Sequence, residues 1–166
     1  MMGKALACLL LALACAAHAE TVTGRVVGVA DGDTITVLDA DKVQHKIRLA
    51  GIDAPEKRQA FGNVSKQSLV DMVDGQSVAV EWVKVDRYGR KVGKVLVDGA
   101  DANLIQVERG FAWHYKDHER EQSANDRKLY EAAELAAKSA RRGLWRDAVP
   151  VPPWEWRKAK REAAIQ

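Results

Sequence analysis

The segment RLAGIDAPE, residues 48–56, sets an arginine, an aspartate and a glutamate around a glycine and a proline. It begins as a strand, with Ile47 and Leu49 on one face and Lys46 and Arg48 on the other. Simple alternation would put Asp53 on the Ile47 face, but Gly51 allows a bulge or bend that re-aims the chain beyond it. Pro55 fixes the backbone behind Ala54 and pushes Ala54 to extended geometry. The expected product is a strand end that presents Arg48, Asp53 and Glu56 to one place. Taken alone, the three charges also fit a solvated strand-to-loop transition.

Two further stretches extend the set. In DGD, residues 31–33, Asp-Gly is a hairpin signal, yet Asp33 opens the next strand, where aspartate is disfavoured. In DRYGRKVGK, residues 86–94, Arg87, Arg90, Lys91 and Lys94 flank Tyr88-Gly89. That cluster suits either a soluble hairpin tip or a phosphate grip beside a base-stacking ring. Together the pieces describe one chemistry. Two aspartates with a backbone carbonyl make an oxygen site for a hard divalent cation. A glutamate beside it can orient or deprotonate a water, and two arginines can clamp a phosphate and stabilise its extra charge. Metal-assisted phosphodiester hydrolysis needs that set.

The elements that must hold these residues are short. Strands are expected over Thr21–Ala30, Thr34–Leu38, Gln44–Ala50, Ser77–Val85 and Lys91–Val97, from valine content and period-two alternation. A helix capped by Asn63, with a stripe of Val64, Ser68, Leu69, Met72 and Val73, lies between the third and fourth strands. A short helix opens at Asp101 and stops at Gly110. A longer one runs from about Ser123 to Arg142, with Leu129, Ala132, Ala133, Ala136 and Ala140 on one side. This order predicts a β-barrel with helices: a five-stranded Greek-key barrel of the OB type with three α-helices.

The chain has 166 residues and a net charge of +3. Residues 1–19 read as a cleaved signal peptide: Lys4, an apolar run from Ala5 to Ala17, and the small-x-small site Ala17-His18-Ala19. A lipidated Cys15 is the alternative, although Ala12 stands three before it, where a larger aliphatic residue is usual. Cleavage after Ala19 removes both cysteines and Lys4, leaving a mildly basic domain without thiols. Any anion-binding surface must then be a local cluster. The expected organisation is a domain over 20–146 followed by a Pro/Trp/charged tail over 147–166, with Trp154 and Trp156 docking that tail against the barrel. Trp82, Trp113 and Trp145 are expected in the core, and His45, His114 and His118 show no metal-ligand spacing.

DGDT at 31–34, RLAGIDAPE at 48–56 and DRYGR at 86–90 resemble, in order and spacing, the staphylococcal nuclease (thermonuclease) family. The likeness continues through DANLIQVERGFAWHY at 101–115 and RRGLW at 141–145. It implies the same OB barrel with three helices and a calcium-dependent nuclease acting on DNA and RNA. Single-stranded nucleic acid is the preferred substrate expected, and the signal peptide predicts a protein of the periplasm or the cell exterior, expected to be a monomer with no stable membrane association after cleavage. Position by position, Asp33 and Asp53 look like the calcium ligands, with the Ala54 carbonyl as a third where the family often has threonine. Glu56 looks like the general base or water-orienting group, and Arg48 and Arg90 like the phosphate clamps. Arg87, Tyr88, Lys91 and Tyr115 are the candidate substrate-binding residues, and Asp31 matches a nearby acidic position. The implied reaction is in-line attack of water with loss of the 5′ oxygen, leaving 3′-phosphate ends. The segment after Glu56, KRQAFGNVSKQ, is shorter than the flexible loop of the family's best-known member, so substrate access is expected to differ.

Two rival readings remain from the sequence. One is a non-catalytic OB module that binds single-stranded nucleic acid or a protein. The other is a structural envelope protein, which leaves five converging charged positions unexplained. The presence of the full catalytic set favours the enzyme.

Overall fold

The computed structural model describes residues 20–165, so the expected signal peptide lies outside the described residues. The strands are β1 (Glu20–Asp31), β2 (Thr34–Leu38), β3 (Gln44–Leu49), β4 (Ile52–Asp53), β5 (Ser77–Val85), β6 (Lys91–Val97), β7 (Ala100–Asp101) and β8 (Trp113–His114). The helices are α1 (Gly62–Val73), α2 (Ala102–Glu108), α3 (Ala124–Ser139) and α4 (Pro153–Ala163), with 3₁₀ turns at Lys116–Glu121 and Gly143–Arg146.

The strands close in the order β3-β2-β1-β5-β6, and a parallel β3–β6 pairing seals the five-stranded barrel. The long β1 makes closure possible, because its first half pairs with β5 and its second half with β2. Two register shifts, at Val26/Gly28 and Val29/Asp31, bend it between those partners. Inside the barrel, Val26, Ile35, Val37, Ile47, Leu49, Val80 and Val95 are fully buried, one from every second strand position. Leu69 and Val73 of α1 and Val107 of α2 close the same core. The barrel expected from the element order is present.

Four local expectations are corrected. Asn63 does not cap α1; it is exposed inside the first turn, and the helix starts from Phe61 in the left-handed region (φ 65°). The start is fixed instead by backbone packing. A Cβ on Gly62 would lie 2.0 Å from the Glu56 carbonyl, so only glycine lets the helix approach there. Val64, expected in the α1 stripe, is exposed, and Ser65 is buried in its place.

The buried face of α3 is Tyr130, Ala133, Glu134 and Ala137, whereas Leu129, Ala132, Ala136 and Ala140 are exposed. The inward stripe is polar because α3 binds through hydrogen bonds. Tyr130 donates its hydroxyl to Asp101 at 2.9 Å, and Glu134 accepts from the His114 N–H at 3.1 Å.

Finally, the tail forms a fourth helix where three were expected. Pro153 sits in its first turn, where the missing N–H costs nothing.

Candidate active site

Strand register brings the charged residues to one end of the barrel. Thr34 pairs with Arg48 across β2–β3, and Arg48 pairs with Val92 across β3–β6, two residues beyond Arg90. Asp33, Arg48 and Arg90 therefore converge although they are far apart in sequence. Gly51, at φ 71°, then turns the chain so that Ile52 and Asp53 pair with Trp113 and His114 instead of continuing β3. That turn defeats simple alternation and returns Asp53 to the Arg48 side. The five residues Asp33, Arg48, Asp53, Glu56 and Arg90 line one cleft of about 770 Å³.

Arg48 is the hub. Its Nη1 donates to the carbonyls of Leu49 and Ile52, both at 2.8 Å. Its Nη2 lies 3.0 Å from Asp53 Oδ1 and 3.3 Å from Asp33 Oδ2. Asp33 is oriented further by the Ala54 N–H at 2.7 Å and the Thr34 hydroxyl at 3.1 Å. Both aspartates are buried, at 6% and 1% exposure, and they share one guanidinium nitrogen.

Burial raises the Asp53 carboxyl above its ordinary value; Arg157 and Arg48 oppose the rise and Asp33 reinforces it. Asp31, whose Oδ1 accepts from the Asp33 N–H at 3.1 Å, is pushed up to about 7, first by burial and then by the Asp33 charge. At Asp53, burial and the Asp33 charge together outweigh the two arginines.

The donor set fits a hard dication. Asp33 and Asp53 aim oxygens at one cationic nitrogen, and Asp53 carries a second guanidinium from Arg157. Among the described residues no three His, Cys, Asp or Glu side chains converge as a metal site. Two carboxylates would leave the rest of a hard cation's shell to backbone carbonyls and water.

Arg90 grips Asp86, with Nε and Nη2 each 2.8 Å from Oδ2, while its Nη1 lies 3.4 Å from the Thr34 hydroxyl. Asp86 Oδ1 also accepts from the N–H groups of Tyr88 and Arg90. Burial alone would raise the Asp86 carboxyl, but these donors outweigh it and hold it below the ordinary value. Asp86 therefore shapes the β5–β6 turn and aims Arg90 at once. Asp86→Ala is expected to lower kcat/KM for a nucleic-acid substrate by about tenfold, with a stability loss of about 1 kcal/mol, read by steady-state cleavage and thermal melting.

Tyr88 stands 67% exposed at the same turn, with the Arg87 and Arg90 guanidinium carbons 4.9 and 5.4 Å from its ring centre. Arg87 and Tyr88 line the cleft. Lys91 lies outside the lining, its ammonium 3.5 Å from the Trp82 ring centre. Tyr115 lines the cleft, but its ring already stacks on Trp154 at 5.3 Å and 14°. Its hydroxyl is raised by burial and by Asp53.

Sequence reasoning passed over Arg157, Thr34 and Asp86. Arg157 donates through Nη2 to Asp53 Oδ2 at 2.7 Å and through Nη1 to Glu56 Oε1 at 2.9 Å. Burial works against its charge, yet the bonds to Asp53 and Glu56 more than offset that and raise its pKa. The signal for it was the spacing Trp154, Arg157, Arg161, which shares one helix face.

A family model described as staphylococcal nuclease homologue matches residues 46–147. A protein of Escherichia coli O157:H7 named uncharacterized endonuclease is 43% identical over 140 residues, covering 84% of this chain and 87% of its own. The micrococcal nuclease of Shigella flexneri is 40% identical over 149 residues, covering 84% and 83%. Protein ParB of Escherichia coli is 41% identical over 167 residues, covering 95% and 91%.

Proposed function

The chain belongs to the staphylococcal nuclease family, and on that premise we propose that it is an exported, calcium-dependent endonuclease of DNA and RNA. It prefers single strands and leaves 3′-phosphate ends. The observation that supports this best is the convergence of Asp33, Arg48, Asp53, Glu56 and Arg90 on one cleft.

A calcium ion held by Asp33, Asp53 and the Ala54 carbonyl would neutralise charge on the attacked phosphate. The protein's own groups do the rest. Glu56 accepts a proton from the attacking water. Arg48 and Arg90 hold the phosphate oxygens and take up the charge that grows on them as the fifth bond forms. Cleavage of the bond to the 5′ oxygen leaves the phosphate on the 3′ side, and the departing 5′ oxygen takes a proton from solvent to become a hydroxyl. Tyr88, at the tip of the basic turn, is the side chain best exposed to stack on an unpaired base.

The test incubates the purified protein with single-stranded DNA, or RNA, in millimolar calcium or in a calcium chelator. Cleavage only with calcium, to ends that a phosphatase can trim, is the expected result. Retarded but intact strands in both tubes would replace this reading with the non-catalytic binding module. Export is checked by the N-terminal sequence of protein recovered outside the cytoplasm, which should begin at Glu20.

A further inference from the structure

Helix α4 is held against the cleft at its first turn. Trp154 wedges between Trp113, edge-on at 5.6 Å, and Tyr115, stacked at 5.3 Å, while Pro153 is buried. Just before the helix, the Gln59 side chain donates to the Val151 carbonyl at 2.6 Å. Three residues after Trp154, on the same face, Arg157 extends into the acidic end of the cleft. Its two terminal nitrogens meet both oxygens of Asp53, at 3.2 and 2.7 Å, and one of these nitrogens also meets Glu56 at 2.9 Å.

The grip has a consequence for a cation. Asp53 Oδ1 already receives Arg48 and Arg157, and Oδ2 receives Arg157. These bonds use three of a carboxylate's about four lone-pair directions, and the one left is on Oδ2, where the bound Arg157 guanidinium repels an incoming dication. The arginine carries the sort of charge the site lacks, and it comes from a segment outside the barrel.

We propose that Arg157 is an internal counter-ion of the active site that exchanges with the divalent cation. It neutralises Asp53 and Glu56 while the site holds no ion, and it gives up Asp53 when the ion binds. Arg157 is thus a positioning residue, and it couples α4 to occupancy of the metal site. The inference rests on the calcium reading above.

The test is isothermal titration of calcium into chelator-stripped protein, with no nucleic acid present. Arg157→Gln is expected to bind calcium on the order of tenfold more tightly, because a charge-assisted bond no longer has to be broken. A purely structural residue would weaken or spare binding on removal, so the gain is diagnostic. Arg161→Gln removes the same charge one turn further along the cleft wall and is expected to stay within about twofold of the wild type.

Arg157→Lys keeps the charge and the helix but loses the two-armed grip, and its affinity should fall between the two. It also serves if Arg157→Gln does not fold. Wild-type binding with no tightening in Arg157→Gln overturns the exchange alone. Equal tightening in Arg161→Gln also overturns it, assigning the effect to the overall field of the helix. No calcium bound by any form removes the calcium reading and this inference together.

Discussion

Glu56→Gln is expected to lower kcat by about a thousandfold, with KM for the nucleic acid little changed. The carboxylate faces the cleft beside Asp53, its side chain 41% exposed, and its oxygen is bonded to Arg157. A glutamine keeps the shape and one acceptor oxygen but cannot take a proton from water. The fold should not notice. Apart from the bond to Arg157, which a glutamine oxygen can still accept, the structure uses the backbone at position 56: the N–H donates to the Gln59 side chain at 3.1 Å, and the carbonyl packs on Gly62. The melting temperature should therefore move by no more than about 3 °C, the scale of 1 kcal/mol in a domain of this size. Steady-state cleavage of a single-stranded oligonucleotide in saturating calcium, with a melt of the same samples, checks both halves. A variant that keeps more than a tenth of the wild-type rate would move the proton-accepting role to another group.

The pieces of this site were legible where chemistry and local geometry coincide. Asp33 stood out because an aspartate stands immediately before a strand, and Arg48 because strand parity sets it apart from Ile47 and Leu49. Asp53 was harder, since its parity pointed inward and only the turn at Gly51 returns it to Arg48. Legibility failed where polar groups do the packing. The inner face of α3 could not be read from apolar periodicity, because Tyr130 and Glu134 are buried there for hydrogen bonds that depend on distant residues, Asp101 and His114. The tail was legible in part: its tryptophans read as docking residues and Trp154 does dock, but three prolines and mixed charge hide the helix, and nothing local shows that the slot lies between Trp113 and Tyr115. Arg157 follows from that slot: its place one helical turn after Trp154 could be read from the spacing, but its contacts with both Asp53 and Glu56 needed the tertiary structure.

Arg48→Ala should show how much of this charge is shared. In cation-free protein the substitution leaves Asp33 and Asp53 buried and facing each other without the guanidinium between them, and it strips a donor from the carbonyls of Leu49 and Ile52. Removing one partner from a buried ionic set costs about 3–5 kcal/mol, which in a domain of this size is a fall of roughly 10 °C in melting temperature. A dication bound between the aspartates would restore most of the missing charge, so millimolar calcium should recover a large part of the loss. Activity should not recover with it. The phosphate clamp is gone, and kcat is expected to stay about a hundredfold to a thousandfold down even in saturating calcium. Arg48→Lys should behave like the alanine variant in activity, because one ammonium cannot serve two carbonyls, two carboxylates and a phosphate from a single point. Thermal melts with and without calcium, run beside cleavage assays, separate the two effects. If calcium stabilises Arg48→Ala no more than the wild type, Asp33 and Asp53 do not share a cation, and the metal site must be sought elsewhere in the cleft.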